Sequence, residues 1–84
     1  MKDTEAFGQV LREYRLLRGL SQEGLGLESG LHRTYISQLE RGLKSPSLTT
    51  IIRMSEILGV SSAEMIRLVE LKIGGSQKET GRTE

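Results

Sequence analysis

The chain has 84 residues, 36% apolar and 27% charged, with 12 Lys and Arg against 11 Asp and Glu, a formal net charge of +1. That composition suits one small globular domain and argues against global disorder or a histone-like basic protein. With no cysteine and a single histidine, a disulfide framework, a thiolate metal site and thiol catalysis are excluded, and a His-based zinc site or a Ser–His–Asp triad is hard to build. Residues 1–5 are polar, with no apolar signal-peptide run, and no stretch approaches the ~20 apolar residues of a membrane span. The expected address is the cytoplasm. A domain this short buries only about 60–65% of its unfolded surface, so its small core gains from self-association.

Five helix-sized pieces are marked off by small residues, with no internal repeat and no strand-like alternation. The first covers residues 4–18, with Phe7, Val10, Leu11, Tyr14 and Leu17 at helical spacing, Asp3 or Thr4 as N-cap and Gly19 as the stop. Ser21 caps a short second piece, 22–29, that ends at Gly30. The third runs over 32–41 to Gly42. Lys44, Ser45 and Pro46 make a loop, and Ser47 caps a fourth helix, 48–58, closed by Gly59. Ser61 and Glu64 have capping-box spacing for the fifth, 63–73, which Gly74 and Gly75 end. An all-α, five-helix domain over residues 1–75 is expected, followed by a polar, disordered tail over 76–84.

Residues 22–41 carry the most information. Two helices that cross over a short turn need a residue without bulk at their approach, which Gly26 supplies, and positive φ in the turn, which Gly30 accepts. Leu25, Leu31, Ile36 and Leu39 are apolar anchors. Arg33, Thr34, Ser37, Gln38 and Arg41 fall on other faces, and this set of donors and acceptors suits base edges in a DNA major groove. Between residues 31 and 55, Arg33, Arg41, Lys44 and Arg53 face one acid, Glu40, for a local charge of +3. A basic face on a near-neutral body suits docking on a polyanion, while its plain alternative is a solvated charged face.

The run from Leu20-Ser21-Gln22-Glu23 through Gly26 and Ser29-Gly30-Leu31 to His32-Arg33-Thr34-Tyr35-Ile36-Ser37-Gln38-Leu39-Glu40-Arg41-Gly42 resembles the helix-turn-helix of the phage-repressor/Cro (XRE-like) family. Pro46-Ser47-Leu48 and Leu58-Gly59-Val60 resemble that family's fourth helix and closing turn. The resemblance extends over residues 7–73, and within the family the His-Arg-Thr-Tyr-Ile-Ser segment is similar to restriction–modification controller proteins. It implies a lambda-repressor-like bundle with the helix-turn-helix in helices 2 and 3. It further implies base contacts by Arg33, Thr34, Ser37 and Gln38, with Arg33 the candidate for bidentate contact to guanine. Gln22, Arg41 and Lys44 match phosphate-holding positions, and Tyr35 lies along the groove edge or backbone or has a packing role. Arg15 and Glu40 match a structural ion pair. Gly24 and Ser29 depart from the family pattern, which suggests a second helix that leans on tertiary packing.

Other readings of single residues are bland. His32 is an exposed helix-start residue rather than a metal ligand, and Ser37 with Glu40 lacks the partner that catalysis would need, so no cofactor and no enzymatic role are expected. Arg53, Arg67 and Lys72 are expected to be solvated, and Met54 and Met65 to fill core or interface. With Leu48, Ile51, Ile52 and Leu58 taken as the fourth helix's core face, Met54 and Ile57 are surplus. The fifth helix is similarly over-supplied. This excess predicts a two-fold homodimer through Met65, Ile66, Val69 and Ile73. Two recognition helices would then lie roughly 34 Å apart on a near-palindromic operator. The expected function is a sequence-specific transcription regulator whose partners are double-stranded DNA, its own second copy and RNA polymerase. An antitoxin, or an interaction module that has lost DNA binding, are the rivals.

Overall fold

The computed structural model describes residues 1–81, and of residues 75–81 the backbone alone. Five helices follow in order: α1 Asp3–Leu17, α2 Gln22–Ser29, α3 Arg33–Glu40, α4 Leu48–Leu58 and α5 Ser62–Gly81. No strand occurs among the described residues. α1 packs against α3 and α5, α2 against α3 and α4, and α4 against α5. One core results, centred on Phe7, Val10 and Leu11 of α1, Leu25 of α2, Ile36 and Leu39 of α3, Met54 and Leu58 of α4, and Met65 of α5.

Local chemistry accounts for most helix ends. Ser21 Oγ accepts the Gly24 N–H at 2.8 Å, Ser47 Oγ the Thr50 N–H at 3.0 Å, and Ser61 Oγ the Glu64 N–H at 3.0 Å. Each side chain satisfies a donor that the first turn would leave unpaired. α1 begins earlier than expected: Lys2, not Asp3 or Thr4, is its cap residue, and its backbone N–H donates to Glu5 Oε1 at 3.3 Å. The Glu64 carboxylate binds Arg67 (2.8 and 2.9 Å) instead of closing a capping box. In α5 Gly74, where the helix is expected to stop, is non-helical with φ 149° and ψ 68°, but the helix resumes beyond it and runs to Gly81. The expected tail, 76–84, falls on residues whose side chains, and whose last three members altogether, lie outside the described residues.

The apolar surplus on α4 and α5 divides differently from the sequence expectation. Met54 and Met65 are fully buried, whereas Leu48 is 73% exposed and Ile52 44%. The inner stripe of α4 is Ile51, Met54, Ser55 and Leu58, spaced i, i+3, i+4, i+7. Ser55 can lie inside because its hydroxyl bonds the Ile52 carbonyl and Ser62 Oγ, each at 2.8 Å. On α5 the inner residues are Met65, Leu68 and Val69, and Met65 and Val69 are buried in the core of the single chain. Ile66 and Ile73 stay exposed.

Candidate nucleic-acid interface

The α2–α3 unit owes its geometry to two glycines. Gly30, at φ 75°, ends α2 in the left-handed region that side chains with a Cβ rarely adopt. The Leu31 N–H then donates back to the Gly26 carbonyl at 2.9 Å. At Gly26 a Cβ would lie 2.5 Å from the Leu31 carbonyl oxygen, so only glycine lets the helices approach this closely. Ser29, polar yet buried, is satisfied by donating its hydroxyl to the Leu25 carbonyl at 2.7 Å. For glycine at position 24 the structure offers no reason.

Helix α3 turns Ile36 and Leu39 to the core and keeps Arg33 and Thr34 in solvent. Its cap is His32, whose Nδ1 accepts the Thr34 N–H at 3.1 Å. Gln22, Arg33, Thr34 and Ser37 line one notch of about 240 Å³ between the start of α2 and the face of α3. Three of the four residues expected to touch bases thus share a concavity with one expected to hold a phosphate. Gln38 is half-buried beside it, Tyr35 packs half-buried against the core, and Arg41 and Lys44 are exposed beyond the end of α3.

Beneath the notch lies a charged centre. Arg15 Nε donates to Glu40 Oε2 at 2.6 Å and Nη2 to Oε1 at 3.0 Å, while Nη1 donates to the Leu20 carbonyl at 2.8 Å. The Glu40 side chain retains only 3% exposure. Hydrogen bonding to Glu40 raises the Arg15 pKa above its ordinary value, against the opposing effect of burial. Gln22 Nε2 adds a bond to Glu40 Oε1 at 3.0 Å, joining the first residue of α2 to the last of α3. That link was not expected from the sequence, since no local pattern connects positions 22 and 40.

Three cations expected to be solvated have partners. Arg53 donates to the Ser29 carbonyl at 3.3 Å, Lys72 binds Glu13 at 3.0 Å, and Arg67 binds Glu64. Arg18, unremarked in the sequence, donates to the Leu58 carbonyl at 2.7 Å and thereby covers the end of α4. Among the described residues no His, Cys, Asp and Glu cluster has metal-binding geometry, and no helix is long and apolar enough to cross a membrane.

Residues 11–65 match the model of the helix-turn-helix family, and the chain belongs to that family of DNA-binding regulators, in its phage-repressor/Cro (XRE-like) branch. It is similar to restriction–modification controllers in particular. Over 61 residues it is 46% identical to control protein C.BamHI of Bacillus amyloliquefaciens, covering 71% of this chain and 75% of that one. The crystal structure of controller protein C.AhdI from Aeromonas hydrophila superposes with a TM-score of 0.72 at 43% identity, covering 75% and 96% of the two chains. SinR, a biofilm master regulator solved in complex with DNA, matches with a TM-score of 0.69 at 31% identity, covering 71% of this chain and 97% of SinR.

Proposed function

We propose that this chain is a homodimeric, sequence-specific transcription regulator of the controller type, acting in the cytoplasm on a near-palindromic operator. The observation that carries the reading is the notch that gathers Gln22, Arg33, Thr34 and Ser37 at the exposed start of α3. Arg33 and Thr34, with Ser37 and Gln38, supply the groups that read base edges. Gln22, Arg41 and Lys44 hold phosphates on either side, and the half-buried Tyr35 supports the groove-facing surface. A dimer so placed regulates by position, by excluding RNA polymerase or by contacting it beside the promoter.

Fluorescence anisotropy with DNA from upstream of the chain's own gene, against a scrambled duplex and across a salt series, tests the proposal. Tight binding of two protomers to the native fragment, with a steep salt slope, is expected. Equal binding to both duplexes would reject sequence-specific reading at that site. Arg33→Ala is expected to lose roughly 1–3 kcal/mol of discrimination at one base pair. Lys44→Ala should instead weaken all sequences alike and reduce the salt slope by about one. Indistinguishable behaviour of the two variants would overturn the division between base readers and phosphate holders.

For the dimer, the exposed apolar residues argue for a face built from Ile66 and Ile73 of α5, spaced i, i+7, together with Leu48 and Ile52 of α4, spaced i, i+4. Ile66 also borders an apolar groove with Phe7, Pro46, Ile51 and Val69. Ile66→Asp leaves the core intact and is expected to shift sedimentation from dimer to monomer at micromolar concentration. A dimer that survives this substitution would move the interface elsewhere.

A further inference from the structure

Resting on the reading of Gln22 as a phosphate contact, we infer that Glu40 is a positioning residue for DNA binding: it fixes which edge of the Gln22 amide faces the DNA backbone. An unconstrained glutamine amide turns either its N–H₂ edge or its carbonyl outward, and the carbonyl repels a phosphate oxygen. Here the choice is removed. A carboxylate held by a guanidinium offers acceptors alone, and Arg15 donates to both oxygens of Glu40. Gln22 meets Oε1 at 3.0 Å through its nitrogen, and any rotation that brought its carbonyl there would set two acceptors against each other.

One amide N–H is occupied by Glu40, and Gln22 lines the notch with Arg33, Thr34 and Ser37; on this proposal the second N–H of the same nitrogen is the donor that meets the phosphate. Glu40 ends α3 while Gln22 starts α2. The same contact therefore ties the phosphate-holding side chain to the helix that carries the base readers. A phosphate gripped by Gln22 is thereby registered against Arg33, so Glu40 acts on DNA without touching it.

The test uses the full chain and the tightest duplex that it selects from a randomised pool, with single phosphates replaced one at a time by uncharged methylphosphonate. In the native protein, one replacement per half-site is expected to weaken binding about two- to tenfold, the range of one hydrogen bond. Gln22→Ala should weaken binding by a similar factor and erase the sensitivity at that phosphate. The double variant Arg15→Met/Glu40→Gln carries no buried charge, and its residue 40 can bond either edge of Gln22. It is expected to lose the same phosphate sensitivity while circular dichroism reports a folded chain. Retained sensitivity in this variant would overturn the positioning role and leave Gln22 as a phosphate contact. Unchanged sensitivity in Gln22→Ala would instead reject the phosphate reading on which the inference rests. Should the double variant not fold, the native protein decides the matter by nuclear magnetic resonance. Gln22 side-chain amide protons that exchange as fast as those of exposed Gln9 would overturn the proposal, and a protected, shifted proton would support it.

Discussion

Glu40→Ala is expected to destabilise the folded chain by about 3–5 kcal/mol, the usual cost of removing one partner from a buried ion pair. For a domain of this size the melting temperature should fall by more than about 12 °C, measurable by circular dichroism. The loss would come less from the missing attraction than from what it leaves behind. Arg15 is largely buried and keeps only its bond to the Leu20 carbonyl, so a cation inside the protein loses both carboxylate contacts. Gln22 loses its partner as well. Replacing the pair together, with apolar side chains of similar volume, should recover most of the stability. A loss below about 1 kcal/mol in Glu40→Ala would mean that water reaches Arg15 and that the site is not dry.

Gly8→Ala should also destabilise, by about 1–3 kcal/mol, although alanine is intrinsically the better helix former by about 1 kcal/mol. A Cβ at Gly8 would lie 2.5 Å from the Leu39 carbonyl oxygen and 2.6 Å from that of Glu40, both backbone atoms that cannot yield cheaply. Gly24→Ala provides the comparison within a helix, because its Cβ meets nothing nearer than Ser21 Oγ at 3.2 Å. Urea unfolding of the two variants should separate them by at least about 1 kcal/mol. If Gly8→Ala were the more stable, α1 and α3 would not meet as closely as the structure has them.

Helix ends were readable wherever a serine or glycine imposes its own geometry. α2 and α4 begin and end at the expected residues because Ser21, Gly30, Ser47 and Gly59 act on their immediate neighbours. Burial was harder to read. The inner face of α4 includes Thr50 and Ser55, which look like surface residues until their hydroxyls are seen to be bonded within the fold. The apolar residues alone turn the expected stripe onto Leu48 and Ile52 and leave Met54 and Ile57 as apparent surplus. The residues around the notch were visible through their resemblance to a known pattern. The Gln22–Glu40 bond, Arg18 on the end of α4 and the pressure of Gly8 on α3 were not, since each joins positions distant in the chain. No spacing rule reaches that far.

Helix α3 is held differently at its two ends. Near Glu40 it is held by the side chains of Arg15 and Gln22 and pressed by Gly8 of α1, whereas at Arg33 the backbone lies against Gly26 of α2 and the side chains of Arg33 and Thr34 stand exposed. The backbone is thus held at both ends, and it is the freedom of the polar side chains that grows from the carboxyl end towards the amino end. Side-chain order parameters from nuclear magnetic resonance should fall along that gradient, lowest at Arg33 and Thr34. The rigid end keeps the register between the helix and the body of the protein. On the proposed operator, the yielding end would leave Arg33 and Thr34 freedom to adjust to half-sites that are not identical, so that one chain could serve an imperfect palindrome.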